Sequence, residues 1–127
     1  MKAKDLMTKE ILSVEKEVMV SEAVQIMDKD NIGALVIMNA IKDPLGIFTE
    51  RDLLRRVVAK GLDPKTTRIE KVMTKGLVCA QAEDDAKTLL EAMFDNNFRH
   101  LPVLDGRKLV GILSLKDFYS VFLKSQT

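Results

Sequence analysis

The chain repeats itself. Displaced by 66 residues, LMTKEILSV falls on VMTKGLVCA, so that Met7, Thr8 and Lys9 meet Met73, Thr74 and Lys75. The register runs on without a gap: Glu17 meets Glu83, Met27 meets Met93, Asn31 meets Asn97 and Leu35 meets Leu101. One residue is then dropped between Asn39 and Gly46, after which Gly46, Ile47 and Asp52 meet Gly111, Ile112 and Asp117. Identity is low, but a sustained register with a matching apolar pattern is a duplication. A duplicated chain of 127 residues has to build two like units of roughly 60 residues, and units of that size bury little surface alone. The expectation is an α+β fold in which units 1–63 and 64–127 pack sheet to sheet with pseudo-two-fold symmetry.

Each unit reads as strand, helix, strand, strand, helix. In the second, LVCA is a short strand, and Ala86, Leu89, Leu90, Met93 and Phe94 recur at the spacing of an inward helix stripe. Asp84 and Asp85 suit that helix's N-terminus. Asp105-Gly106 between apolar runs signals a tight hairpin, and LKDFYSVFLK is the final helix. In the first unit ILSV is a strand, and Val20, Ala23, Val24 and Met27 form the helix stripe. GALVIMN and LGIF are strands joined by a longer turn, AIKDP, and Glu50 to Lys60 is a helix. Gly61 ends that helix and Pro64 bars its continuation. Met27, Leu90 and Met93 are core positions, Met7 and Met73 pack under their sheets, and Arg55, Arg56 and Lys60 form a wet helix face. The closing helices carry Leu53, Leu54, Val57 and Val58, then Phe118, Tyr119, Phe122 and Leu123. Part of each stripe packs on its own sheet; the remainder is expected to meet a second copy in a homodimer.

Twenty basic and nineteen acidic residues leave a net charge of +1, which gives no broad attraction to nucleic acid or an anionic membrane. A single cysteine, Cys79, excludes an intrachain disulfide and suits a reducing compartment. No apolar run approaches the roughly 20 residues of a membrane span, and the opening MKAKDLMTKE lacks the apolar centre of a signal peptide. The expected location is cytoplasmic. One histidine and one cysteine stand far apart, with no Gly-rich phosphate loop of the P-loop type and no metal-ligand spacing, so an enzyme is not expected.

What the repeat does carry is a hydroxyl and a carboxylate three residues apart, each time after an apolar strand: Thr49 with Asp52, and Ser114 with Asp117. This is the spacing of a capping box, although Glu or Gln is the usual acidic partner. The same geometry suits a nucleoside: a helix N-terminus favours anions, and a carboxylate one turn in can accept hydrogen bonds from ribose hydroxyls. On residue types alone both readings stand.

The whole chain, from about Lys4 to Lys124, resembles a tandem pair of CBS domains, the Bateman module. The features that carry the resemblance are LMT and VMT, IGALVIMNAIKDPLGIFTERDLL in the first copy and RHLPVLDGRKLVGILSLKDF in the second. It implies a regulatory module that senses AMP, ADP or ATP, with S-adenosylmethionine or NAD as further candidates, in clefts between the two units. It implies too that such modules pair into flat dimers. It assigns ribose to Thr49 with Asp52 and to Ser114 with Asp117. It places Arg99 and His100, just before Leu101 and Pro102, in the same cleft, where basic residues meet phosphate. The first copy has Gly33, Ala34 and Val36 in place of Arg99, His100 and Pro102, so the second should prefer the more highly phosphorylated ligand. It further implies that the opening strands, at Ser13-Val14 and Cys79-Ala80, lend backbone groups to the base. No cofactor is required, no resident metal is expected, and the output lies on an unknown effector protein. The rival reading is an interaction module with no physiological nucleotide, in which the aspartates only cap helices.

Overall fold

A computed structural model describes residues 1–76 and 78–125. Leu77, which opens the expected strand LVCA, and the side chain of Phe122, on the last apolar stripe, lie outside the described residues. The elements run α1 (Ala3–Leu6), β1 (Ser13–Glu15), α2 (Val20–Lys29), β2 (Ala34–Met38), β3 (Pro44–Thr49), α3 (Glu50–Asp52), a 3-10 turn (Ile69–Lys71), β4 (Thr74–Lys75), β5 (Ala80–Gln81), α4 (Ala86–Asn96), β6 (His100–Asp105), β7 (Lys108–Ser114) and α5 (Leu115–Ser125), with π-helical turns over Leu53–Val58 between α3 and the 3-10 turn. There are two mixed sheets, in the orders β1-β2-β3-β4 and β5-β6-β7. In each, the opening strand runs parallel to its neighbour and the hairpin pair is antiparallel.

The compact units are not the linear repeats. One comprises Leu12–Leu77; the other joins Met1–Ile11 to Val78–Thr127. Each therefore takes its opening Met-Thr segment from the other repeat. β4, the start of the second repeat, pairs with β3 of the first through Gly46↔Lys75 and Ile47↔Thr74. In the split unit Thr8 makes the corresponding bridge to Ile112 of β7, with N–H···O bonds of 2.9 and 3.0 Å. The close approach explains the repeated Gly and Met. A Cβ on Gly46 would lie 2.6 Å from Met73 Sδ and 2.7 Å from the Thr74 carbonyl oxygen, and Gly111 lies equally hard against Met7. The methionine fills the space a side chain would need.

Local chemistry fixes the remaining elements. α4 starts where Asp85 accepts the Thr88 amide at 3.0 Å. Its neighbour Asp84 instead accepts the Gln81 amide and closes the preceding turn. The matched asparagines end α2 and α4: Asn31 (φ 52) and Asn97 (φ 58) are left-handed, a conformation asparagine tolerates. The next amides, Ile32 and Phe98, bond back to Met27 and Met93 at 2.9 Å. β6 and β7 close through Asp105↔Lys108 with Gly106 at φ 64. The longer first-repeat turn is held by the Asn39 carboxamide oxygen, which accepts from Ile41 and Asp43 amides.

Three expectations change. Phe94 is 82% exposed, whereas Met93 beside it is fully buried and Leu90 is half-buried. Phe94 lies at the margin of the stripe, where its repeat counterpart is Asp28. The helix expected from Glu50 to Lys60 is one α-helical turn followed by π-helical turns, and of its four apolar residues only Val57 is buried. β5 covers only Ala80–Gln81. In the first repeat Val36 donates its amide to Leu12 at 3.3 Å; the counterpart Pro102 has no N–H to donate, so β5 starts later than β1.

Candidate functional site

In both repeats an apolar strand runs into a helix at a hydroxyl residue, Thr49 after β3 and Ser114 after β7. Asp52 Oδ2 accepts the Thr49 amide at 3.0 Å and its hydroxyl at 3.2 Å, while the Asp52 amide donates to Thr49 Oγ1 at 3.3 Å. Asp117 Oδ2 accepts the Ser114 amide at 2.8 Å and its hydroxyl at 3.1 Å. The reciprocal capping geometry is therefore present at Asp52, and its carboxylate half at Asp117; in both repeats the strand-end amide and hydroxyl hold the carboxylate against its own strand end.

A third hydroxyl reaches each carboxylate, from the threonine of each repeated Met-Thr pair. Thr74 Oγ1 donates to Asp52 Oδ1 and Oδ2, at 3.1 and 3.3 Å. Thr8 Oγ1 donates to Asp117 Oδ1 at 3.3 Å. These threonines come from the exchanged opening segments. Their signal in the sequence was the repeated Met-Thr pair itself.

The two carboxylates differ in their surroundings. Asp52 is 6% exposed, and Arg56 Nε lies 3.4 Å from its Oδ1. Arg56 Nη1 also donates to the Met73 carbonyl at 2.9 Å. Arg56 is therefore not part of a merely wet face; one turn along the helix from Asp52, it ties the site to β4. Asp117 is half-buried, and no cation lies within ion-pair distance of it among the described residues. The position matching Arg56 is Val121.

The basic residues expected beside the site are adjacent to it in the second repeat only. His100 pairs with Ser114 in the β6–β7 ladder, and the Arg99 carbonyl accepts the Leu115 amide at 3.3 Å. Arg99 is exposed and His100 is half-buried. In the first repeat Gly33 and Glu50 occupy the matching backbone positions, joined by the corresponding 3.1 Å bond. The Glu50 carboxylate covers Gly33, with Oε1 3.2 Å from where a Cβ would stand. The matching positions beside the two junctions thus differ in charge, with the Glu50 carboxylate over Gly33 in the first repeat and the Arg99 guanidinium in the second.

Among the strand residues expected near a base, Ser13 is exposed, pairing with Val36. Val14 and Ala80 are core residues, and Pro102 is fully buried opposite Ile112. Their side chains are committed to packing, leaving only backbone groups to offer. Cys79 is half-buried, and burial pushes its thiol pKa up, which favours the unreactive thiol. No cluster of three or more potential metal-ligating side chains occurs among the described residues. Among them no helix is long and apolar enough to cross a membrane.

Comparison with known proteins agrees with the architecture. The CBS domain model matches residues 3–59 and again 69–124. The chain is 31% identical over 127 residues to an uncharacterised 17.7 kDa protein of Acidianus ambivalens, covering 99% of this chain and 76% of that one. Several other curated relatives are longer: the chain spans 22%, 49% and 50% of three of them. Among solved structures, a putative signal-transduction protein with CBS domains from Burkholderia ambifaria superposes with a TM-score of 0.88 at 34% identity, covering 94% of this chain and 87% of that one. The CBS domain pair of protein MJ0100, solved in complex with 5′-methylthioadenosine and S-adenosyl-L-methionine, gives a TM-score of 0.88 at 25% identity and covers 98% of both chains. With both repeats matched, in sequence and in fold, the chain belongs to the CBS domain family as a tandem pair.

Proposed function

We propose that this CBS pair is a regulatory sensor of adenosine-containing ligands, with AMP, ADP and ATP as first candidates and S-adenosylmethionine or NAD as alternatives. The observation that carries the reading is the second-repeat junction. Asp117 is held by Ser114, half-exposed and free of a cationic partner among the described residues, with Arg99 and His100 adjacent through the ladder. A carboxylate so held suits ribose hydroxyls, and neighbouring basic groups suit phosphate. The ligand complex of the MJ0100 pair supports the ligand class. Nothing at the junction performs chemistry; the output is a population shift read by a partner protein. The exposed Leu54, Val58, Tyr119 and Leu123 support a homodimer as the form in which it acts.

A structural role without nucleotide is favoured at one place only, Asp52, whose buried capping network is complete. Calorimetry with AMP, ADP, ATP, S-adenosylmethionine and NADH tests the reading. At least one should bind the parent protein, and Asp117→Asn should abolish that binding while leaving the fold intact by circular dichroism. No response to any of the five would leave the interaction-module reading in its place.

A further inference from the structure

Resting on the ribose-gripping role above, we propose that the chain takes one nucleoside ligand, at Asp117, and that the ligand displaces the Thr8 hydroxyl, loosening the exchanged N-terminal segment. The argument is a count of acceptor positions. A carboxylate offers about four lone-pair positions. At Asp52 three donors claim positions, the Thr49 amide, the Thr49 hydroxyl and the Thr74 hydroxyl, the last reaching both oxygens, and the Arg56 guanidinium lies against Oδ1 as an ion pair at 3.4 Å. With the group only 6% exposed, no approach is left for a ligand. At Asp117 three donors are present: the Ser114 amide, the Ser114 hydroxyl and the Thr8 hydroxyl. One position is open, yet the vicinal diol of a ribose brings two donors.

The second donor has to take an occupied position. The Ser114 bonds are 2.8 and 3.1 Å and local to the helix cap, whereas the Thr8 bond is 3.3 Å and joins residues 109 apart in sequence. Thr8 is the partner that yields. Its backbone bridge to Ile112 is isolated rather than part of a ladder, and beyond it the segment runs directly into Leu12, the first residue of the other compact unit. Ligand arrival at Asp117 is thereby communicated to the chain crossing. The matching Thr74 lies within β4, in a two-pair ladder, under the Arg56 clamp, and stays in place.

Calorimetry and amide hydrogen exchange on the full chain test this, with AMP, ADP, ATP and S-adenosylmethionine as probes. The binding probe should saturate at one equivalent per chain. It should speed exchange at the Thr8 and Ile112 amides severalfold, with Thr74 and Ile47 unchanged. Thr8→Val removes the competing hydroxyl and should tighten binding by roughly two- to tenfold, the worth of one hydrogen bond; Thr8→Ser should restore parent affinity. The 2′-deoxy form of the binding nucleotide brings one donor fewer and should leave Thr8 and Ile112 protection unaltered. Two equivalents per chain, slower exchange at Thr8, or weaker binding by Thr8→Val would each overturn the displacement while leaving the sensor reading standing. Absence of binding by every probe would overturn both.

Discussion

Asp52 and Asp117 occupy the same place in the same repeat and are different objects. Asp52 sits beneath Thr49, Thr74 and Arg56 and is almost inaccessible. Asp117 has the equivalent hydroxyls but no arginine, and it is half-open. One duplicated motif has become, on one side, part of the scaffold and, on the other, a group with spare acceptor capacity. The substitution behind this is small: Arg56 against Val121. Around it the charge changes in step, with Glu50 over Gly33 in the first repeat and Arg99 and His100 in the second. The capping box explains Asp52 well; under the proposed function the ribose falls to Asp117, and the two readings of the motif would then apply to different copies.

The comparison is most exposed to attack at the glycines beneath the exchanged methionines. At Gly46 a new Cβ meets both Met73 Sδ and the backbone oxygen of Thr74, the latter at 2.7 Å. At Gly111 the two closest atoms are Met7 Sδ and Cγ, which can swing away, and Met7 Cβ at 3.1 Å has to give by only a few tenths of an ångström. Gly46→Ala should therefore cost about 2–3 kcal/mol, as overpacking does, and Gly111→Ala about 1 kcal/mol or less. Urea denaturation of the two variants measures the gap; equal losses would mean that the two exchanged segments are held alike.

The next largest effect concerns the carboxylates themselves. Asp52→Asn removes a buried charge that satisfies three donors and pairs with Arg56, and should cost about 2 kcal/mol. Asp117→Asn alters a half-exposed cap and should cost about 1 kcal/mol. If thermal melts ranked them the other way, Asp52 would not be the scaffold member of the pair. Arg56→Met sharpens the point at smaller scale. It keeps the stem and removes a half-exposed ion pair together with the bond to the Met73 carbonyl. A loss of about 1 kcal/mol is expected, most of it from the carbonyl bond.

Much of this was legible in the sequence because duplication reports each feature twice. The matched asparagines, the Asp105-Gly106 hairpin and the hydroxyl-carboxylate pairs are local devices, and local devices leave local signatures. The exchange of opening segments left none. β4 is two residues long, too short for any periodicity, and its partner strand belongs to the other repeat. Thr8 and Thr74 were overlooked for the same reason, since their bonds to Asp117 and Asp52 span a chain fold that spacing does not encode. Phe94 failed differently: eight residues after Ala86 it is about 80° round the helix, so a stripe drawn by spacing includes it while the core ends at Met93. Arg56 stands four residues after Asp52, a spacing that brings side chains together on a helix, and was the missed partner that local spacing offered.

The smallest expected effect lies at the far end of the exchanged N-terminal segment. Lys2 and Lys4 both donate to the Glu83 carboxylate, Lys4 at 2.7 Å. Hydrogen bonds from Lys2 and then Lys4 lower the Glu83 pKa from an ordinary 4.5 to about 2. A carboxylate held below its unfolded value contributes stability that is complete above about pH 4.5 and is lost as the pH falls through about 2. The backbone of the same segment is fastened by the Ala3 amide on the Asp84 carbonyl at 2.8 Å and the Ala86 amide on the Met1 carbonyl at 2.9 Å, and neither bond titrates. Acidification from pH 5 to pH 2 should therefore speed exchange at Ala3 and Ala86, beyond the intrinsic pH dependence, without unfolding the sheet. Glu83→Gln should remove that extra pH dependence and respond less to salt, because the groups are exposed and screened. The first repeat supplies the control: Glu17, the counterpart of Glu83, has only a 3.9 Å contact with Lys16, so acid should loosen the N-terminal segment on the split unit before it loosens β4 on the other.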